Sequence, residues 1–219
     1  MNRTLVSALA LTALLGAPQV GAEGLAVTAK AGTLGLGLEF SGGFNSYLNA
    51  RAGINYFDYD FSEEYENIDY DMELKLRSAA GLLDWHPAGG SFRLTSGMLF
   101  NENELAAEAK PDGTYEIGDT EYPAALVGDL TGDIDFDAYA PYVGLGWATE
   151  HGSDGGFGLS VDLGVAYQGS PDVELAASGP ISVDPGFQAD LAAEQKALAD
   201  DLEDYKYYPV VAVGFNYRF

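Results

Sequence analysis

Counting back from the last residue, Tyr207, Pro209, Val211, Val213, Phe215, Tyr217 and Phe219 alternate with Lys206, Tyr208, Val210, Ala212, Gly214, Asn216 and Arg218. A period of two predicts a β-strand, and the aromatic end is what a strand crossing a membrane needs at the interface. Residues 157 to 168 repeat the alternation: Phe157, Leu159, Val161, Leu163, Val165 and Tyr167 oppose Gly158, Ser160, Asp162, Gly164, Ala166 and Gln168. Asp162 then faces the inside.

Six further segments carry strand patterns: Leu25 to Ala31, Leu34 to Ser41, Tyr47 to Tyr59, Tyr70 to Leu83, Phe92 to Asn101 and Tyr139 to Ala148. With the two above they make eight. Short connections (Gly42 to Ser46, His86 to Gly90, Thr149 to Gly155) alternate with long ones (Phe61 to Asp69, Glu102 to Asp135, Ser170 to Tyr205). An all-β, antiparallel, up-and-down transmembrane barrel with short periplasmic turns and long outer loops predicts that alternation. Eight strands are expected, and ten if a long loop hides a hairpin.

At the start, Leu25, Val27 and Ala29 give odd-numbered lipid positions, whereas Leu34, Leu36, Leu38 and Phe40 give even ones. A tight hairpin at Gly32-Thr33 accounts for the break in phase. In the last long loop, Asp184-Pro185 reads as a helix cap and first helical residue. The Ala/Leu/Glu-rich run that follows puts Leu191, Leu198 and Leu202 on one stripe, a short helix over the barrel mouth.

The N-terminus carries Arg3, then an apolar stretch from Leu5 to Ala17 that is too short to span a bilayer, then Val20-Gly21-Ala22 at a small-residue cleavage position. Residues 1–22 are expected to be a cleaved signal peptide and 23–219 the outer-membrane barrel domain. No later run reaches the roughly 18 apolar residues of a transmembrane helix. The absence of cysteine excludes disulfides and thiolate chemistry. No metal site or cofactor is implied, because Asp129 to Asp135 alternates acids without the twelve-residue calcium-loop pattern and reads as a solvated loop.

The net charge of −24 excludes nucleic acid as a partner. A salt-rich habitat would select for the same acidity. Of the 34 acids, 26 fall in the segments 58–71, 102–135 and 172–204, so the outer loops are strongly negative. Lys30, Arg51, Lys75, Arg77, Arg93 and Arg218 take inward registers, with Lys206 in their phase, whereas Lys110 and Lys196 lie in loops. Glu39, Glu73 and Asp162 are the chief inward acids.

An eight-stranded barrel is just wide enough for side chains to fill, so these charges admit two readings. One is an internal ionic network that plugs a structural barrel, whose acidic loops bind lipopolysaccharide, cations or a partner. The other, which is the expected function, is a narrow channel for passive uptake of small, preferably cationic solutes such as basic amino acids, with these charges as its constriction and the negative rim feeding it. Inward glycines (Gly144, Gly146, Gly158, Gly164, Gly214) would either leave a channel or make room for long side chains. An enzyme is not expected: the histidines, His86 and His151, fall in or beside periplasmic turns, away from cell-surface substrates.

Gly32-Thr33-Leu34-Gly35-Leu36-Gly37, Tyr70-Asp71-Met72-Glu73-Leu74, Ala140-Pro141-Tyr142-Val143-Gly144-Leu145-Gly146 and Tyr167-Gln168-Gly169-Ser170-Pro171-Asp172-Val173-Glu174-Leu175 resemble the CarO-type, OmpW-like small outer-membrane barrels. The resemblance spans most of the chain after residue 22, and its last stretch is the most discriminating. It implies an eight-stranded barrel in the outer membrane, associated with uptake of ornithine and other basic amino acids and with carbapenem susceptibility. The loops depart from the family, so no substrate-binding residue is carried over. Phe215, Tyr217 and Phe219 resemble the terminal signal read by barrel-assembly machinery. The other expected partners are outer-membrane lipid, lipopolysaccharide and small cationic solutes.

Overall fold

The computed structural model describes residues 23–65, 68–109, 113–118, 120–149 and 155–219. Eight antiparallel strands close a barrel: β1(Glu23–Gly32), β2(Gly35–Asn45), β3(Leu48–Tyr65), β4(Ile68–Trp85), β5(Phe92–Asn101), β10(Tyr139–Ala148), β11(Gly156–Tyr167) and β13(Tyr207–Arg218). β4 pairs with β5 and β1 with β13, so the ring has no open seam. Closure matters because no water inside a bilayer can satisfy a free strand edge. The proposed signal segment, Lys110 and His151 lie outside the described residues.

The outer surface carries the alternating apolar set read from the sequence. Phe157, Leu159, Val213 and Phe215 are exposed, as are Leu36, Leu38, Phe40, Ile54 and Val143 on the other strands. Their alternates, such as Ser160, Asp162, Val210 and Asn216, are buried inside. Among the described residues no helix is long and apolar enough to cross a membrane. The tight turn at Thr33-Leu34 explains the phase break between β1 and β2, with Gly32 opposite Gly35. Leu34, expected to face lipid, is instead buried over the lumen, because the turn folds it inward.

Two of the long connections are folded. On the side of β4 that β5 leaves free, β6(Glu104–Ala109), β9(Leu130–Asp135) and β12(Asp172–Ala177) continue the sheet above the barrel as a wall. Asp129 to Asp135, read as a solvated loop, therefore lies largely in a strand. A hairpin of β7(Thr114–Ile117) and β8(Thr120–Pro123) packs with the long helix Pro185–Asp201 on one face of this wall. The helix begins as its sequence dictates: Asp184 caps it, accepting hydrogen bonds from Gly186 N and Phe187 N, and Pro185 follows. Its anchors are Phe187 and Leu191, both buried, whereas Leu198 and Leu202 are only partly covered.

The wall's two faces differ completely. Through an unbroken register, Tyr70, Met72 and Leu74 of β4 align with Ala109, Ala107 and Leu105, then with Leu130, Gly132 and Ile134, then with Ala177, Leu175 and Val173. This apolar face is continuous with the lumen side of β4, so the helix and the β7–β8 hairpin sit on the inward side, toward the mouth. The opposite face carries Asp71, Glu73, Glu104, Glu108, Asp133, Asp135, Asp172 and Glu174. Strand alternation alone produces this division.

Candidate functional site: the lumen

The lumen is filled in layers. Toward the periplasmic end, Arg51 reaches from β3 into a set of carboxylates. Its Nη1 lies 3.0 Å from Glu39 Oε1 and its Nε 2.7 Å from Asp84 Oδ2, while Nη2 lies 3.4 Å from Asp162 Oδ1. Arg93 Nη2 donates to Asp162 Oδ1 at 2.7 Å, and Lys30 Nζ to Glu39 Oε2 at 2.8 Å. Thr95 Oγ1 donates to Asp84 Oδ1 at 2.7 Å. Three cations thus face three carboxylates, and Arg51, Glu39, Asp84, Arg93 and Asp162 are all buried. Charges removed from water are tolerable only when matched and hydrogen-bonded in this way.

Glycines opposite the network give these side chains their room. A Cβ on Gly146 would lie 2.8 Å from Asp162 Oδ1 and 2.9 Å from Arg93 Nε, and one on Gly164 would collide with the Tyr142 ring. Gly144, Gly146, Gly164 and Gly214 therefore accommodate neighbouring side chains and do not leave an open lane beside them. Above the ionic layer lies an apolar one, built from Leu34, Leu82, Leu99, Tyr142, Ala166 and Val210, with Tyr208 against it. Between the layers a void of about 20 Å³ remains, room for about one water. Below them, a polar cavity of about 380 Å³ lined by Asn49, His86, Ser160, Asn216 and Arg218 ends on Arg51 and Arg93.

Of the inward charges expected from sequence, the structure gathers Lys30, Glu39, Arg51, Arg93 and Asp162 in one cluster. Arg218 lines the periplasmic cavity beside Gly24 and makes no ion pair among the described residues. Glu73, Lys75 and Arg77 are a correction: none faces the lumen. On β4 the inward residues are even-numbered (Ser78, Ala80, Leu82, Asp84), so these three point outward. Arg77 Nη2 lies 2.5 Å from Asp58 Oδ2 and its guanidinium is 5.3 Å from the centre of the Tyr56 ring. Lys75 Nζ lies 2.8 Å from Glu73 Oε2 and 3.2 Å from Glu104 Oε1 on the wall. Lys206, assigned the inward phase, lies in the turn before β13 and contacts Glu203 at 2.9 Å.

Sequence reasoning missed Asp84 and Thr95. Asp84 is almost fully buried and contacts Arg51, yet the strand expected over Tyr70 to Leu83 stops one residue short of it. The signal was Trp85, an exposed girdle aromatic that fixes Asp84 as its inward neighbour. His86 behaves as a turn residue, its Nδ1 2.7 Å from Gly90 O and its Nε2 3.2 Å from Asn49 Nδ2. At the C-terminus, Phe215, Tyr217 and Phe219 face outward, with Phe157 against the first two at 5.3 and 4.9 Å between ring centres.

No protein-family model matches the chain, and no curated protein matches it. Solved structures share its fold, among them two from Acinetobacter baumannii. Acinetobacter baumannii CarO2 superposes with a TM-score of 0.61 at 22% identity, over 90% of this chain and 99% of that one. Acinetobacter baumannii CarO gives 0.60 at 23% identity, over 93% of this chain and 100% of that one. The fold is thus that of CarO, consistent with the CarO-type resemblance carried by the residues.

Proposed function

We propose, taking an outer-membrane barrel of this fold as the premise, that the chain is a closed barrel whose work is done at the cell surface. Its folded, acidic wall is the working part. The observation that carries this reading is the two-layer filling of the lumen, ionic below and apolar above. A charged solute crossing the apolar layer would shed most of its hydration against Leu34, Leu82, Leu99, Ala166 and Val210, with only neutral groups, the Tyr142 hydroxyl and the Asn55–Ser78 pair, to meet it. The wall's acidic face begins at Asp58, two residues along β3 from the exposed Tyr56, at the level where lipopolysaccharide phosphates and their divalent ions gather. Outer-membrane lipid, lipopolysaccharide and the barrel-assembly machinery are the partners in this reading.

Liposome swelling with arginine, glycine and glutamate tests it. None of the three should enter faster than into protein-free liposomes, and single-channel recordings should stay at baseline. Arginine-selective swelling by the wild-type protein would overturn the reading.

One observation favours a second reading, a gated channel for small cationic solutes such as basic amino acids. The periplasmic cavity of about 380 Å³ reaches the ionic layer, which with the apolar layer above it separates the cavity from the mouth. In that case Tyr142→Ala or Leu82→Ala should raise arginine flux, and Arg77→Ala, on the outer face, should not.

A further inference from the structure

We propose that the upper edge of β3, from Phe57 to Ser62, is a strand-addition site for an extended peptide that alternates cationic and apolar residues. β2 pairs with β3 only as far as Tyr56, opposite Leu36. Beyond that point β3 continues beside β4 to Tyr65, so among the described residues its other edge has no partner strand. Unpaired edges of this length are normally blunted by charged side chains, lysine above all, by proline or by a bulge. The sequence Phe57-Asp58-Tyr59-Asp60-Phe61-Ser62 has no lysine or proline and its register with β4 runs without a bulge; its two charges, Asp58 and Asp60, are both acidic, so they repel acidic strands and leave the edge open to a cationic one.

The side chains beside that edge define the partner. Phe57, Tyr59 and Phe61 form a ladder on the inward face, ring centres 6.1 and 5.7 Å apart, with Tyr59 still 55% exposed. Asp58 and Asp60 point the other way. Asp58 is engaged by Tyr56 and Arg77, whereas Asp60 is exposed and available. A strand laid antiparallel along this edge would set its alternate side chains against the aromatic ladder and its intervening ones beside Asp60. Backbone pairing supplies affinity in such additions and the alternate side chains supply selection, here for apolar residues on one face and cations on the other. A second copy of this chain fits poorly, because two such edges would bring Asp58 and Asp60 against their own kind. The inference is independent of whether the lumen conducts.

The test uses the full chain after signal removal, in detergent, and seven-residue peptides alternating lysine and valine, with binding read by biolayer interferometry. The parent peptide should bind saturably and its glutamate–valine counterpart should not. Two versions N-methylated on alternate sets of amides should differ by at least about tenfold in Kd, since only one set faces β3. Asp60→Lys, at an exposed position, should weaken the parent about tenfold while leaving the protein heat-modifiable on gels. Equal binding by the parent and both methylated peptides, or no effect of Asp60→Lys, would overturn the proposal. A dimer in light scattering that Asp60→Lys dissolves would overturn it in favour of a second copy as the occupant.

Discussion

Between Ser78 and Trp85, β4 turns Leu83 and Trp85 toward lipid and keeps Asp84 inside; above Ser78, without a bulge, it turns Tyr70 inward and Asp71, Glu73 and Lys75 outward. The backbone is continuous, but what surrounds it is inverted. In the membrane the outside is apolar and the narrow interior can hold polar groups, provided that they are matched. Above the membrane the outside is water, and the inside is covered by the helix and the β7–β8 hairpin. The apolar face of a strand therefore follows the medium and not the strand, and within one strand it can change sides.

Removing a charge from the lower region should have the largest effect. Asp84→Ala leaves Arg51 and Arg93 buried with a carboxylate missing, a loss of about 3–5 kcal/mol that should show as early unfolding in heat-modifiability gels. Phe187→Ala empties the core of the upper region at a similar local cost of about 3–5 kcal/mol. There the expected outcome is selective: protease should cut the wall segments while the barrel still runs as a folded band. If both variants unfold the whole protein together, the two regions are one cooperative unit and the contrast fails.

pH sharpens the comparison next. Burial pushes the Tyr115 hydroxyl above its usual range, and a hydrogen bond to the Asp190 carboxylate does the same for Tyr122. Both groups favour the folded cap in their neutral form, so their contribution is complete below the ordinary tyrosine value of 10.0 and is lost as pH rises through the raised values. Protection factors for hydrogen exchange in the cap, corrected for the base-catalysed intrinsic rate, should therefore fall above about pH 10, ahead of any fall in the barrel strands. Smallest of all is Lys75→Ala, which breaks two half-buried ion pairs at the rim of the wall and should lower the thermal unfolding midpoint by no more than a few degrees.

The sequence made the barrel legible where one face meets lipid for the whole length of a strand. β11 and β13 alternate without fault, and the reversal between β1 and β2 located the Thr33-Leu34 turn. The wall was illegible for a physical reason. Asp133 and Asp135 alternate with Gly132 and Ile134 as any half-buried strand does, but so many acids resemble solvated loop when the covering helix lies some 50 residues away in the chain. The same ambiguity misassigned Arg77. Met72, Leu74 and Leu76 are apolar but face the capped interior, so a phase that puts Glu73, Lys75 and Arg77 inside is one residue out and hides Asp84.

The pairing of β1 with β13 also governs when this molecule can come into being. Ala26 through Gly32 find their partners in Arg218 through Ala212, so the first strand synthesised waits for the last. Until then its backbone amides and carbonyls stay unsatisfied on one side, a state a bilayer does not accept. Insertion is accordingly a decision taken once, on a completed chain, and a protein truncated by even its final strand has no stable halfway form to fall back on.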